Sequence, residues 1–165
     1  MGKRTDICPK KVHLYFLPIK TRVPLKFGSE TLTQVTCARV CMEVKNSIGQ
    51  TARGWGETPL SVQWVWPSSL TFVERENALK SFSILLSQAW ASFWCSGHPI
   101  EIGYAFEKNE LPHLLNKFNH QRVNTEPMPW LAALVCCSAF DISLHDAYGI
   151  LHQCAVYKTY NSKWM

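Results

Sequence analysis

The chain lacks long hydrophobic runs, paired cysteine spacing and internal repeats, and each absence narrows its class. Its longest apolar stretch, Pro127 to Phe140, is shorter than the ~20 residues a helix needs to cross a bilayer. A buried helix accounts for it, and no membrane association is expected. The N-terminus carries Lys3 and Arg4 with no apolar segment behind them, so no signal peptide is legible. Asp6 stands where N-myristoylation would want Ser or Thr. The seven cysteines are odd in number and form no metal-type or disulfide-type pairs along the sequence. Reduced thiols in a cytoplasmic protein are the expectation.

Charge is modest and uneven. The net charge is +5, and seven of the seventeen basic residues (Lys3, Arg4, Lys10, Lys11, Lys20, Arg22 and Lys26) precede residue 27, opposed only by Asp6. A basic arm can meet nucleic acid or an anionic ligand. No nucleic-acid motif accompanies this one, and a solvated face is the plainer reading. Against these shortages stand a hydrophobic fraction of 47% and seven tryptophans. That content excludes disorder and suits one domain with a real core.

The hydrophobic period changes once along the chain. Val12, Leu14 and Phe16 alternate within 11–20, and Ala38, Val40, Met42 and Val44 alternate within 35–44 with Cys37, Arg39, Cys41 and Glu43 on the opposite face. Alternation of this kind predicts strands. Asn46-Ser47-Ile48-Gly49 reads as a hairpin turn with Gly49 at positive φ, and a third strand follows over 50–57. From Phe72 the period becomes helical. Leu79, Phe82, Leu86, Trp90 and Phe93 predict one amphipathic helix over 71–94, ended by Ser96-Gly97. Shorter helices are expected at 99–108 and 110–119, a loop at 120–126, and a last helix from Pro129 to Tyr148 with Gly149 as a left-handed cap. Strands first and helices afterwards give an α+β class: a three-stranded antiparallel meander followed by a helical bundle.

Two segments carry a resemblance. Gly54-Trp55-Gly56-Glu57-Thr58-Pro59 closes the third strand, and Ala139-Phe140-Asp141-Ile142-Ser143-Leu144-His145-Asp146-Ala147-Tyr148-Gly149 lies in the last helix. In this order and spacing they resemble the N-terminal capping domain of the enolase superfamily, nearest to its mandelate racemase and muconate lactonizing branch. Arg22-Val23-Pro24-Leu25-Lys26-Phe27 resembles that family's first mobile loop. After Gly149, Ile150-Leu151-His152-Gln153-Cys154-Ala155 departs from the family's lysine and Gly-Pro turn. The tryptophan-rich insertion Ser61 to Ser69 departs as well.

The resemblance implies an organisation and a chemistry. Residues 1–10 are expected as a basic arm, 11–149 as the capping domain and 150–165 as the start of a linker towards a barrel. In such enzymes the barrel supplies three carboxylates for Mg²⁺ and a Lys or His base that removes the proton beside a substrate carboxylate. No Lys-x-Lys pair occurs here, and a barrel of about 250 residues does not fit between Gly149 and Met165. The expectation is a capping domain with no catalytic residue, metal site or cofactor of its own. Its partners would be a C-terminal barrel, in the same or a separate chain, and a small carboxylate substrate such as a sugar acid. Two segments, 20–32 and 58–69, would shape the pocket. Arg22 and Lys26 would meet the carboxylate or a hydroxyl, Phe27, Trp64 and Trp66 would form an apolar wall, and Thr58 would join them. Packing within the domain is the competing reading for Trp64 and Trp66.

Other constellations read as structure. Glu57 at a strand end reads as a hydrogen-bonding carboxylate. Asp141 and His145 lie four apart on one helical face, but they lack the second ligand cluster that a metal needs. Cys95 with His98 lacks a third orienting group, and Cys136-Cys137 read as small core residues. Two other readings stay open. One is a stand-alone interaction module of the same fold that self-associates through an exposed apolar face. The other is a small basic nucleic-acid binder with steep salt dependence.

Overall fold

The computed structural model describes residues 3–27 and 30–165, with the side chains of Phe27 and Glu30 outside the described set. Three strands, β1 (Ile7–Phe27), β2 (Glu30–Asn46) and β3 (Thr51–Pro59), form an open antiparallel sheet in the order β1-β2-β3. Helices α1 (Val62–Val65), α2 (Phe72–Ser92), α3 (Pro99–Ala105), α4 (Leu111–Gln121) and α5 (Trp130–Leu151) follow, with a π-helical turn at Phe106–Glu110 joining α3 to α4. This is the α+β meander-then-helices class that the hydrophobic periods predict.

The alternation on β2 decides which face is covered. Ala38, Val40, Met42 and Val44 are wholly buried beneath the helices. The opposite face carries the cross-strand pair Arg39–Glu57, the stacked rings of Tyr15 and Trp55 at 6.2 Å, and Glu43 between Lys11 and Arg53 at 3.5 and 2.9 Å. Glu57 therefore ends in an ion pair with its neighbour strand. The β2–β3 turn has Gly49 at φ +90°, and Asn46 Oδ1 accepts from Gln50 N at 2.9 Å.

On the buried face of β3 the side chains nearly vanish. A Cβ on Gly54 would overlap the Ala147 amide nitrogen, and one on Gly56 would overlap the Ala139 carbonyl oxygen and lie 2.7 Å from Ser143 N. The two glycines let the α5 backbone lie directly on the strand. α2 starts from a capping box in which Thr71 Oγ1 accepts from Glu74 N and the Glu74 carboxylate accepts from Thr71 N. It buries Leu79, Phe82, Leu86 and Trp90 at helical spacing.

Several predicted boundaries move. β1 begins at Ile7, which bridges to Gly97 by reciprocal backbone hydrogen bonds of 3.1 Å. The first two strands run far past the expected ends, because the hairpin continues to Phe27 and Glu30. A short helix, α1, occupies part of the expected irregular segment. α2 stops at Ser92, four residues before Ser96. Gly149 does not cap α5. The helix continues to Leu151, and the positive φ falls on Gln153 at 53°. Gly149 instead makes room for the returning chain, since a Cβ there would sit 3.0 Å from the Cys154 carbonyl oxygen. At 22 residues α5 is long and apolar enough to cross a membrane by length and composition. In this structure its buried face, including Ala139, Phe140, Ser143 and Ala147, packs within the domain.

Candidate functional site at the hairpin end

The two segments singled out in the sequence meet at one end of the domain. From Lys11 the β1–β2 ladder is regular to Lys20 opposite Gln34, and it resumes at Leu25 opposite Leu32. Four residues, Thr21 to Pro24, thus face the single residue Thr33. The excess is a bulge, which bends a strand and re-aims its side chains. Pro24 suits it because it has no N–H to contribute to a ladder, and Thr21 Oγ1 donates to the Thr33 carbonyl at 3.2 Å. Arg22 and Lys26 are exposed on this hairpin, and Val23 is 73% exposed beside them.

Behind the hairpin, Thr31, Leu32, Thr33 and Gln34 of β2 face Gln63 of α1 and Phe72 of α2 across a groove of about 320 Å³. The base of the second segment is pinned to the same strand, since Leu60 N donates to Thr36 O at 2.8 Å. Thr36 Oγ1 in turn donates to Glu76 of α2 at 2.7 Å.

The six expected binding residues divide by burial. Arg22, Lys26 and Trp64, the last 54% exposed, lie at the surface. Thr58 is buried, its hydroxyl sharing a 2.6 Å hydrogen bond with Ser138 of α5. Trp66 is 1% exposed and sits in the core. Its Nε1 donates to Glu126 at 3.0 Å, its carbonyl accepts from Arg75 at 2.7 Å, and Arg122 lies over its ring. Ser68 and Trp66 together hold the Glu126 carboxyl below the usual range. Trp66 thereby anchors the segment that presents Trp64. The side chain of Phe27 lies outside the described residues. Thr31 and Gln63 were not visible as groove residues in the sequence, because nothing in a polar Thr-x-Thr-Gln stretch signals which turn it will face.

The helical constellations also resolve. Asp141 and His145 approach at 3.8 Å, and Tyr160 shares a 2.9 Å hydrogen bond with His145 Nδ1. Burial pushes the Asp141 carboxyl up and the His145 imidazole down. His98 is wholly buried, with Nδ1 accepting from Ile100 N and Nε2 paired to Thr159 at 2.9 Å. It caps α3. Among the described residues no three His, Cys, Asp or Glu side chains converge to hold a metal ion.

No protein-family model and no curated protein matches the chain. Solved structures do. A dipeptide epimerase from Enterococcus faecalis V583, complexed with Mg and the dipeptide L-Leu-L-Tyr, superposes with a TM-score of 0.52 at 15% identity, covering 94% of this chain and 35% of that one. A mandelate racemase/muconate lactonizing protein from Herpetosiphon aurantiacus gives a TM-score of 0.42 at 12% identity over 92% of this chain and 33% of that one. L-talarate dehydratase from Polaromonas sp. JS666, complexed with Mg and L-glucarate, gives 0.41 at 11% identity over 87% and 32%. The chain spans about a third of the length of these proteins. The likeness is one of fold: a three-stranded antiparallel meander followed by helices is shared with about a third of the dipeptide epimerase.

Proposed function

We propose that the chain is the substrate-capping domain of a Mg²⁺-dependent enzyme that abstracts the proton beside a substrate carboxylate, with the catalytic barrel supplied outside these residues. The observation that carries this reading is the convergence of the bulged hairpin and the α1 segment on one groove, within a fold shared with a dipeptide epimerase complexed with Mg and a dipeptide. Arg22 and Lys26 offer cations to a carboxylate, and Trp64 offers apolar surface. Trp66 and Thr58 hold the segment in place. Closure of such a lid excludes water and strengthens every charge interaction beneath it. Among the described residues no three His, Cys, Asp or Glu side chains converge on a metal ion, and this reading assigns the Mg²⁺ to the barrel. Racemisation, epimerisation, dehydration and cycloisomerisation all share the initial proton abstraction. A small carboxylate such as a sugar acid fits the two cations, and a cytoplasmic setting fits the free thiols.

The test is to read the coding frame past Met165, weigh the native protein intact, and titrate the purified chain with Mg²⁺. Continuation into a barrel bearing a Lys-x-Lys pair and three spaced carboxylates is expected, or a separate barrel chain that co-purifies. Residues 1–165 alone should turn over no sugar acid. A tight stoichiometric Mg²⁺ site on the isolated chain would overturn the reading. So would a native mass of 165 residues with no barrel chain bound, which would favour a stand-alone interaction module.

A further inference from the structure

A second cleft, of about 380 Å³, opens between α5 and the wall formed by α3, the π-helical turn and α4. It shares no lining residue with the hairpin end. Ile100, Tyr104 and Glu107 project from one wall, and Leu134, Asp141 and His145 from the other. Trp90 forms the floor, wholly buried and stacked on Phe106 of the π-turn at 4.0 Å. The π-turn Phe106–Glu110 forms part of this wall, and such turns recur at functional sites.

From this geometry we propose that the cleft binds a small organic cation, a primary ammonium group on an apolar body. The chain carries a net charge of +5, yet the lining contains two carboxylates and no Lys or Arg. Lys108 approaches only the rim, where its Nζ donates to Tyr104 Oη at 3.3 Å. Asp141 has His145 as its sole ion-pair partner among the described residues, at a long 3.8 Å, and His145 is itself engaged by Tyr160. An ammonium group seated between Asp141 and Glu107 would give the two carboxylates a donor each. It would also relieve the repulsion by which Glu107 adds to the effect of burial on Asp141. Ile100, Leu134 and the Trp90 floor would receive the apolar body, while the Tyr104 ring is already taken by Lys108, whose Nζ lies 5.4 Å from its centre. A metal ion fits less well, since no three ligating side chains converge among the described residues. Cys137, one turn before Asp141, adds no nucleophile, because burial pushes its thiol up to about 12.

The experiment is a calorimetric titration of the purified chain near neutral pH with n-hexylamine, hexan-1-ol and hexanoate. It is repeated on Asp141→Asn and Glu107→Gln, with the indole N–H of Trp90 followed by NMR to locate binding. Hexylamine should bind at one saturable site that shifts the Trp90 resonance. The alcohol should bind about tenfold more weakly, as expected when a charge-assisted hydrogen bond is lost. Asp141→Asn should weaken the amine by about tenfold and Glu107→Gln by about threefold, the latter lying in a more exposed position. Equal affinity for amine and alcohol, preference for hexanoate, or no saturable amine binding overturns the proposal. If Asp141→Asn does not fold, the amine–alcohol comparison on the unaltered chain and the exposed Glu107→Gln variant still decide it. The outcome is independent of the lid reading, because neither probe nor variant touches the hairpin end.

Discussion

Asp146 Oδ2 on α5 accepts the backbone N–H of Trp55 on β3 at 2.8 Å, joining residues 91 apart in sequence. Among the described residues β3 pairs only with β2, so its outer edge would otherwise present unpaired donors, an invitation to edge-to-edge association. Here the helix covers the edge and a carboxylate takes up one donor. Asp146→Ala should lower stability by about 1–2 kcal/mol, the usual worth of a charge-assisted hydrogen bond that is partly open to water. Asp146→Asn keeps an acceptor oxygen and should lose less than half as much. Urea unfolding of the two variants, compared at constant m-value, measures both. Equal losses would mean that the hydrogen bond is not the source.

The close seating of α5 on β3 predicts a sharper effect at Gly56. Its added Cβ would meet backbone atoms of Ala139 and Ser143, and backbone cannot swing aside as a side chain can. Gly56→Ala should cost about 3 kcal/mol, at the upper end of overpacking effects. Gly97→Ala is the control, since its Cβ would meet only the movable Glu101 carboxylate at 2.9 Å. Thermal midpoints of the two variants test the contrast. A Gly56→Ala midpoint no lower than that of Gly97→Ala would show that the helix can lift off the strand without loss.

What the sequence made legible follows from which forces act locally. Alternation on β2 and the three-four spacing on α2 record burial of a single face, so the sheet, its covered side and the long helix were readable. Boundaries depended on contacts remote in sequence. Ile7 becomes a strand residue because the far end of β2, at Asn46, pairs with it, and Gly149 sits against the returning chain at Cys154. Asp141 and His145 were visible as a pair through their helical spacing, but their cleft was not. Ile100, Tyr104 and Glu107 share one helical face, but nothing local in the sequence tells which helix that face will meet. Trp64 and Trp66 look alike in the sequence, yet Glu126, Arg75 and Arg122 draw one inward and leave the other at the surface.

His98 makes stability pH-dependent with a defined sign. Burial, then repulsion from His145 and more weakly His152, holds its imidazole below the ordinary 6.5, with Glu101 and Asp6 opposing. The folded chain therefore keeps His98 neutral where the unfolded chain takes up a proton. The stability it contributes is fully present above about pH 6.5 and is lost as the pH falls through the lowered folded value. A protonated Nδ1 could no longer accept from Ile100 N, so the cap on α3 would fail at the same time. His145, also lowered by burial, acts with the same sign, whereas the raised Asp141 acts oppositely in the window above its ordinary 3.8. Between about pH 7 and about pH 5 the urea midpoint should fall. His98→Asn, which retains a capping acceptor, should start lower and fall less. An unchanged slope in that variant would remove His98 as the cause.

The cysteines predict an order of reaction that reports on α5 directly. Cys136 is wholly buried, its Sγ 3.6 Å from the Leu79 carbonyl, and burial pushes its thiol and that of Cys137 up to about 12. At about pH 8 only roughly one part in ten thousand of such a thiol is ionised, and the thiolate is the reacting form. Cys8 and Cys154 are half-buried and should be alkylated first by iodoacetamide. Cys95, half-buried but raised by burial, should follow, with Cys37 and Cys41 slower again because the outer sheet face covers them. Cys136 and Cys137 should react only as fast as the domain unfolds, so their labelling should accelerate in urea in step with the loss of structure. Mass analysis of tryptic peptides over a time course separates the classes. Cys136 reacting in native buffer as fast as Cys8 would mean that α5 leaves the sheet without global unfolding, and the Gly54–Gly56 seat would then be a hinge.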